Sequence, residues 1–177
     1  GARFRVRLPM ETPASVADSA AFTCDVPAAT SDDLTGMRIL LADDGPDNVR
    51  LFRHHLTRAG AEVTVAVDGR EAVALVRAAA LGVLEEPFDL VLMDLEMPVM
   101  DGTEAARTIR VEAPGLPIIA LTAQPASVAG QRCVDTGFVA VASKPIDRRA
   151  LVRLAQHWGR KSPTGTPAVP AEGLVEA

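Results

Sequence analysis

The sequence predicts an α/β protein: five parallel strands in one sheet, each followed by a helix, with helices on both faces. Three observations carry this. Short apolar runs alternate five times with segments whose apolar residues recur at helical spacing. Strands separated by helical crossovers pair in parallel, and a parallel sheet is covered on both faces. Hydrophobic residues make up 48% of the 177-residue chain, enough to fill a core. In such sheets the ligand crevice lies at the carboxyl ends of the strands.

Met37–Ala42 is the first apolar run. Asp47–Ala59 then places Val49, Phe52 and Leu56 on one helical face, and Gly60 stops that helix as a C-terminal cap. Val63 and Val65 alternate as a second strand. Asp68-Gly69 turns the chain into an Ala-, Leu- and Val-rich helix running from Arg70 to about Leu84. Leu90–Met93 is a buried strand and Thr103–Glu112 a helix. Pro117–Thr122 and Ala126–Thr136 form the fourth pair, and Val139–Ala142 with Asp147–Trp158 the fifth.

The strand ends are chemically unusual. Asp43 and Asp44 follow the first run, Asp94 ends the third, Thr122 ends the fourth, and Ser143-Lys144-Pro145 follow the fifth. Singly, each reads as a turn, a cap or an ordinary surface lysine. Together they would face one crevice. Carboxylates about 4 Å apart repel by roughly 4 kcal/mol at an effective dielectric of about 20. A raised pKa or a bound cation relieves that. Oxygen donors without His or Cys suit Mg²⁺, and a lysine suits phosphate as a mobile point charge. A carboxylate nucleophile, Mg²⁺, a lysine and a hydroxyl describe phosphoryl transfer to aspartate.

The stretches "LLADD", "DLVLMDLEMPVMDG", "IIALTA" and "SKPI" are similar to the motifs of response-regulator receiver domains, and the resemblance covers residues 37–159. It implies a flavodoxin-like (βα)5 fold with strand order 2-1-3-4-5. It implies that Asp94 accepts the phosphoryl group. By the same resemblance Asp44, Asp94 and the backbone carbonyl of Glu96 bind Mg²⁺ directly, and Asp43 acts through water. Thr122, Lys144 and the backbone N–H of Ala123 contact the phosphoryl group, and Lys144–Pro145 is cis. Two positions depart from the family pattern. Val141 stands where a Tyr or Phe is usual, three residues before the lysine. Gly45 stands where Asn is commoner, and is expected only to loosen its loop.

The flanks are read separately. In residues 1–8, Phe4, Val6 and Leu8 alternate with Arg3, Arg5 and Arg7. This resembles the final strand of a histidine-kinase ATP-binding domain, which ends in "F-x-V-x-L-P" runs. Residues 9–36 hold five acids, three prolines, no Lys or Arg and no apolar period, the composition of a flexible linker. Residues 160–177 read as a second flexible tail. The order kinase, linker, receiver resembles a hybrid histidine kinase. The implied partners are a kinase phosphohistidine domain or a histidine phosphotransfer protein, with the receiver itself monomeric.

Three other functions compete with this one. A stand-alone response regulator is disfavoured by the strand at residues 1–8. A Mg²⁺-dependent aspartyl-phosphate phosphohydrolase needs a second acid two residues after the nucleophile, then Thr or Val two further on. Pro98 occupies that last place. A docking module without phosphorylation is at odds with the complete acidic pocket. The net charge of -5 argues against a nucleic-acid partner. No apolar run approaches the ~20 residues of a membrane helix. The chain starts at Gly1 without a signal-peptide pattern, so a fragment of a longer cytoplasmic protein is expected, with two reduced cysteines, Cys24 and Cys133. His54 and His55 read as a solvated helix face, and His157 as favourable to the last helix dipole.

Overall fold

The structure, a computed structural model, describes residues 33–84, 86–124 and 136–159. The strands are β1 (Arg38–Ala42), β2 (Glu62–Ala66), β3 (Leu90–Asp94), β4 (Ile118–Thr122) and β5 (Ala140–Ser143). The helices are α1 (Pro46–Arg58), α2 (Gly69–Ala80), α3 (Gly102–Glu112) and α4 (Arg148–Gly159). All strand pairs are parallel, in the order β2-β1-β3-β4-β5, which is the expected fold and order. The expected strand over residues 1–8, the linker up to residue 32 and the tail from residue 160 lie outside the described residues. So does nearly all of the expected helix at 126–136.

The strand period of two sorts the core into two layers. Ile39, Leu41, Leu90, Leu92, Ile119 and Leu121 face α1 and α4, where they meet Phe52, Leu56, Leu151 and Ala155. Leu40, Ala42, Val91, Met93, Ile118 and Ala120 face α2 and α3, where they meet Ala72, Val76, Ala105 and Ile109. Because both faces are covered, β1, β3 and β4 read as continuous apolar runs rather than alternating ones. Each fully buried Leu or Ile contributes about 1.5–3 kcal/mol.

Helix ends follow local chemistry. Gly60, at φ +99°, donates to the Thr57 carbonyl at 3.0 Å, and Ala61 donates to Leu56 at 3.1 Å, a paired closure that requires a left-handed residue. Asp68 and Asp101 cap α2 and α3 by accepting from the N–H groups of Glu71 and Glu104. The second helix stops at Ala80, short of the expected Leu84. Gly82 turns left-handed there, at φ +69°, and leaves Leu81 and Val83 exposed. At the other boundary the fold begins before Met37. Leu34 is fully buried, and its N–H donates to the Ala59 carbonyl at 2.7 Å.

Gly102 opens α3 where the helix backbone passes closest to β3. A Cβ there would collide with the Asp94 carbonyl oxygen and crowd Met93. At Gly115 a Cβ would meet open space. Gly102→Ala should therefore lower the unfolding free energy in urea by at least about 2 kcal/mol. Gly115→Ala should stay within about 0.5 kcal/mol of the parent.

Candidate functional site

The parallel register brings the carboxyl ends of β1, β3, β4 and β5 to one edge of the sheet. Asp43 continues β1 and is fully buried. One of its oxygens accepts from the Gly45 N–H at 2.9 Å and from Asn48 Nδ2 at 3.2 Å. The other accepts from Lys144 Nζ at 2.7 Å. Asp94, the last residue of β3, also accepts from Lys144 Nζ, at 2.6 Å, and its second oxygen accepts from the Glu96 N–H at 3.3 Å. Asp44 is exposed at the mouth. Its carboxylate and those of Asp43 and Asp94 each place an oxygen within 4.8 Å of the others.

The remaining predicted residues lie around this cluster. Thr122 is buried at the end of β4, and its hydroxyl accepts from the Gln124 N–H at 3.0 Å. The Lys144 N–H donates to the Thr122 carbonyl at 2.7 Å, which ties the lysine backbone to β4. Ala123 is exposed on the loop after β4, and Glu96 is exposed after β3. The Lys144–Pro145 bond is cis, as expected.

Four residues carry more than the sequence suggests. Gly45 does not merely loosen its loop: a Cβ there would meet Asn48 Nδ2 at 2.9 Å and Asp43 Oδ1 at 3.0 Å. Glycine therefore leaves room for the Asn48–Asp43 hydrogen bond. Gln124 links two loops, donating to Glu96 Oε1 at 3.5 Å and accepting through its carbonyl from Ser143 Oγ at 3.2 Å. Neither Asn48 nor Gln124 belongs to a strand-end motif, so only the three-dimensional arrangement reveals them. Val99 is at φ +69°, with Met100 N–H donating to the Pro98 carbonyl at 2.7 Å. That is a γ-turn, which costs a β-branched residue about 1–3 kcal/mol.

His55 departs from the expected solvated face. It is half-buried, and its Nδ1 has no hydrogen-bond partner among the described residues. Burial, then the nearby His54, Arg148 and Arg58 charges, hold its pKa below the usual value.

The electrostatics of the cluster follow from burial. Desolvation pushes the Asp94 carboxyl above its usual pKa, the Asp43 charge adds to the rise, and Lys144 only partly offsets it. Burial works against the Lys144 charge, but its hydrogen bonds to Asp43 and Asp94 prevail and raise its pKa. The lysine therefore stays an ammonium at neutral pH. Three carboxylates with an open mouth make an all-oxygen donor set, which fits a hard divalent cation such as Mg²⁺.

Known proteins share both sequence and fold. The response regulator receiver domain family matches residues 39–156. This chain belongs to that family. Sensor protein GacS of Pseudomonas syringae pv. syringae is 39% identical over 126 residues, covering 68% of this chain and 13% of that protein. Histidine kinase 1 of Arabidopsis thaliana is 36% identical over 149 residues, covering 67% of this chain and 12% of that protein. The chain thus spans about an eighth of the length of these relatives. The receiver domain of sensor histidine kinase PA1611 from Pseudomonas aeruginosa PAO1, solved with a magnesium ion coordinated in its active-site cleft, is 34% identical. It superposes with a TM-score of 0.63 over 71% of this chain and 99% of that one. Relatives of this receiver therefore include receiver domains of hybrid histidine kinases.

The raised Asp94 pKa sets a pH dependence for the receiver. An acid whose folded pKa is raised costs no stability while both states are protonated, below the unfolded value near 3.8. The cost grows as pH rises toward the folded pKa and is full above it. Asp94→Asn removes the charge and keeps an accepting oxygen for Lys144. Without metal, its urea midpoint should exceed that of the parent at neutral pH. The gap should narrow as pH falls through the raised folded pKa and be closed below about 4, and a midpoint below the parent at neutral pH would reverse the argument.

Proposed function

We propose that this receiver takes a phosphoryl group from a phosphohistidine onto Asp94 and passes it on to a histidine phosphotransfer protein or returns it. The observation that supports this most directly is Lys144 bridging Asp43 and Asp94, with the Asp44 carboxylate in reach at the mouth. In this reading an Asp94 carboxylate oxygen attacks phosphorus, the N–P bond of the donor breaks, and the imidazole nitrogen keeps the electron pair and takes up a proton. An acyl phosphate remains on Asp94. Lys144 Nζ, 2.6 Å from Asp94, follows the charge onto the incoming phosphoryl oxygens. Thr122 and the Ala123 N–H contact the same group from β4 and its loop. Asp43, Asp44, Asp94 and the Glu96 carbonyl would hold Mg²⁺, which when bound neutralises phosphoryl oxygen charge.

The flanking sequences support a place within a longer protein. Residues 1–8 are similar to the last strand of a kinase ATP-binding domain, and residues 9–32 connect it to the receiver. The chain would then be the C-terminal receiver part of a hybrid histidine kinase. Among the described residues no helix is long and apolar enough to cross a membrane.

A small acyl-phosphate donor with Mg²⁺ tests the reaction without a partner. Intact mass should show one phosphoryl adduct on the wild-type chain and none on Asp94→Asn or in excess chelator. Equal labelling of Asp94→Asn would refute the assignment.

Val141 gives a second test. It is buried in β5 against the α2–α3 layer, at the place where receivers usually have an aromatic ring. Its short β-branched side chain is confined in χ1 and cannot act as a swinging ring. Val141→Ala should change transfer to a histidine partner by less than about tenfold, roughly 1.4 kcal/mol. Thr122→Ala and Lys144→Ala should each slow it far more in the same assay. Equal severity for Val141→Ala and Lys144→Ala would show that β5 carries signal.

A further inference from the structure

The chain contains a single asparagine, Asn48, and its side chain is aimed at the carboxylate cluster. Asn48 is the third residue of α1 and is half-buried. Its Nδ2 donates to Asp43 Oδ1 at 3.2 Å, beside the Gly45 N–H at 2.9 Å. Chemistry fixes the orientation of the amide. A carboxylate only accepts, so a reversed amide would set two acceptors face to face.

Helix formation does not account for this residue. Asparagine is a weaker helix former than alanine. A side-chain N-cap accepts from the first turn, whereas Asn48 uses its donor, and the capping position itself, Gly45, makes no side-chain cap bond. The contact does suit the needs of Asp43. That carboxylate is fully buried, so water does not replace a lost donor. The last torsion of an aspartate is soft, with no narrow well to hold the carboxylate plane. Lys144 cannot hold it alone, because an ammonium is a point charge on a flexible stem and this one is shared with Asp94 at 2.6 Å. Two neutral donors on Oδ1, one from the loop after β1 and one from α1, fix the plane. They turn Oδ2 toward Lys144, at 2.7 Å.

We propose that Asn48 is a positioning residue for the cation site: it holds the Asp43 carboxylate in the one orientation that presents Oδ2 to the cluster. Gly45 is the other half of the device, since a Cβ there would stand 2.9 Å from Asn48 Nδ2 and 3.0 Å from Asp43 Oδ1. The proposal rests on the reading of Asp43, Asp44 and Asp94 as a Mg²⁺ site. Hydrogen bonds that orient carboxylates around a metal typically change its affinity by about 10–100-fold.

Selective ¹⁵N labelling of asparagine gives one side-chain NH₂ pair and so reports on Asn48 alone. In the metal-free parent these protons should exchange with water at least about threefold more slowly than those of free asparagine. Gly45→Ala should return them to the free rate. Mg²⁺ affinity is read separately from the Glu96 amide, which donates to Asp94 at 3.3 Å. Asn48→Ala should weaken it by at least about tenfold. Gly45→Ala should weaken it in the parent but far less in the Asn48→Ala background, because both changes act on one hydrogen bond. Urea midpoints of the same variants separate positioning from stability. A lowered midpoint with unchanged Mg²⁺ affinity leaves Asn48 a structural role only and overturns the proposal. Free exchange of the NH₂ pair in the parent, or an equal effect of Gly45→Ala in both backgrounds, overturns it too. A parent whose Glu96 amide ignores Mg²⁺ is a different failure. It strikes the reading of the cluster as a cation site, and the exchange rate alone then decides whether Asn48 holds Asp43.

Discussion

The Lys144 ammonium sits between two carboxylates withdrawn from water, Asp43 and Asp94, and the surrounding structure is arranged to tolerate them. Removing one partner from such a buried group leaves an unpaired charge, at a cost of about 3–5 kcal/mol. The fold therefore satisfies the second oxygen of each carboxylate as well. Gly45 and Asn48 donate to Asp43, and the Glu96 backbone donates to Asp94. A parallel sheet is well suited to this. It ends several strands on one edge, fixes them by register, and leaves the loops beyond free to supply N–H groups.

The same edge concentrates most of the local compromises. Gly102 permits α3 to start against the β3 backbone, and Gly69 donates to the Met100 carbonyl at 3.2 Å to pin the loop between. Val99 is held in its γ-turn within that loop. Away from this edge the domain follows ordinary rules. Its strands are packed on both faces. Among the described residues, the non-glycine residue at positive φ lies in the loop that leaves Asp94.

Most of the fold is legible in the sequence because its signals are strong and local. Five apolar runs bounded by helical spacing define the strands, and Gly60 ends α1 in the conformation that only its lack of a Cβ makes cheap. The cluster is legible because each member sits at a strand end, where topology alone sends it to one edge. What is not legible depends on contacts between loops. Nothing in the spacing of Asn48 or Gln124 marks them as partners of Asp43 or Glu96. The end of α2 is hidden because Leu81 and Val83 continue an apolar run that the structure leaves exposed. The burial of His55 is hidden because packing between α1 and α4 cannot be read from one helix's period.

Lys144 is 101 residues from Asp43 and 50 from Asp94 along the chain. The two acids meet as soon as β1 and β3 pair, but their cation arrives only with β5, at the far edge of the sheet. Before β5 joins, the two carboxylates meet without the cation that bridges them in the complete domain. Non-local closures of this kind are slow, because chain entropy is lost before the contact rewards it. The last strand thus removes a repulsion as well as adding a contact. A chain that presents the complete cluster has already docked β5.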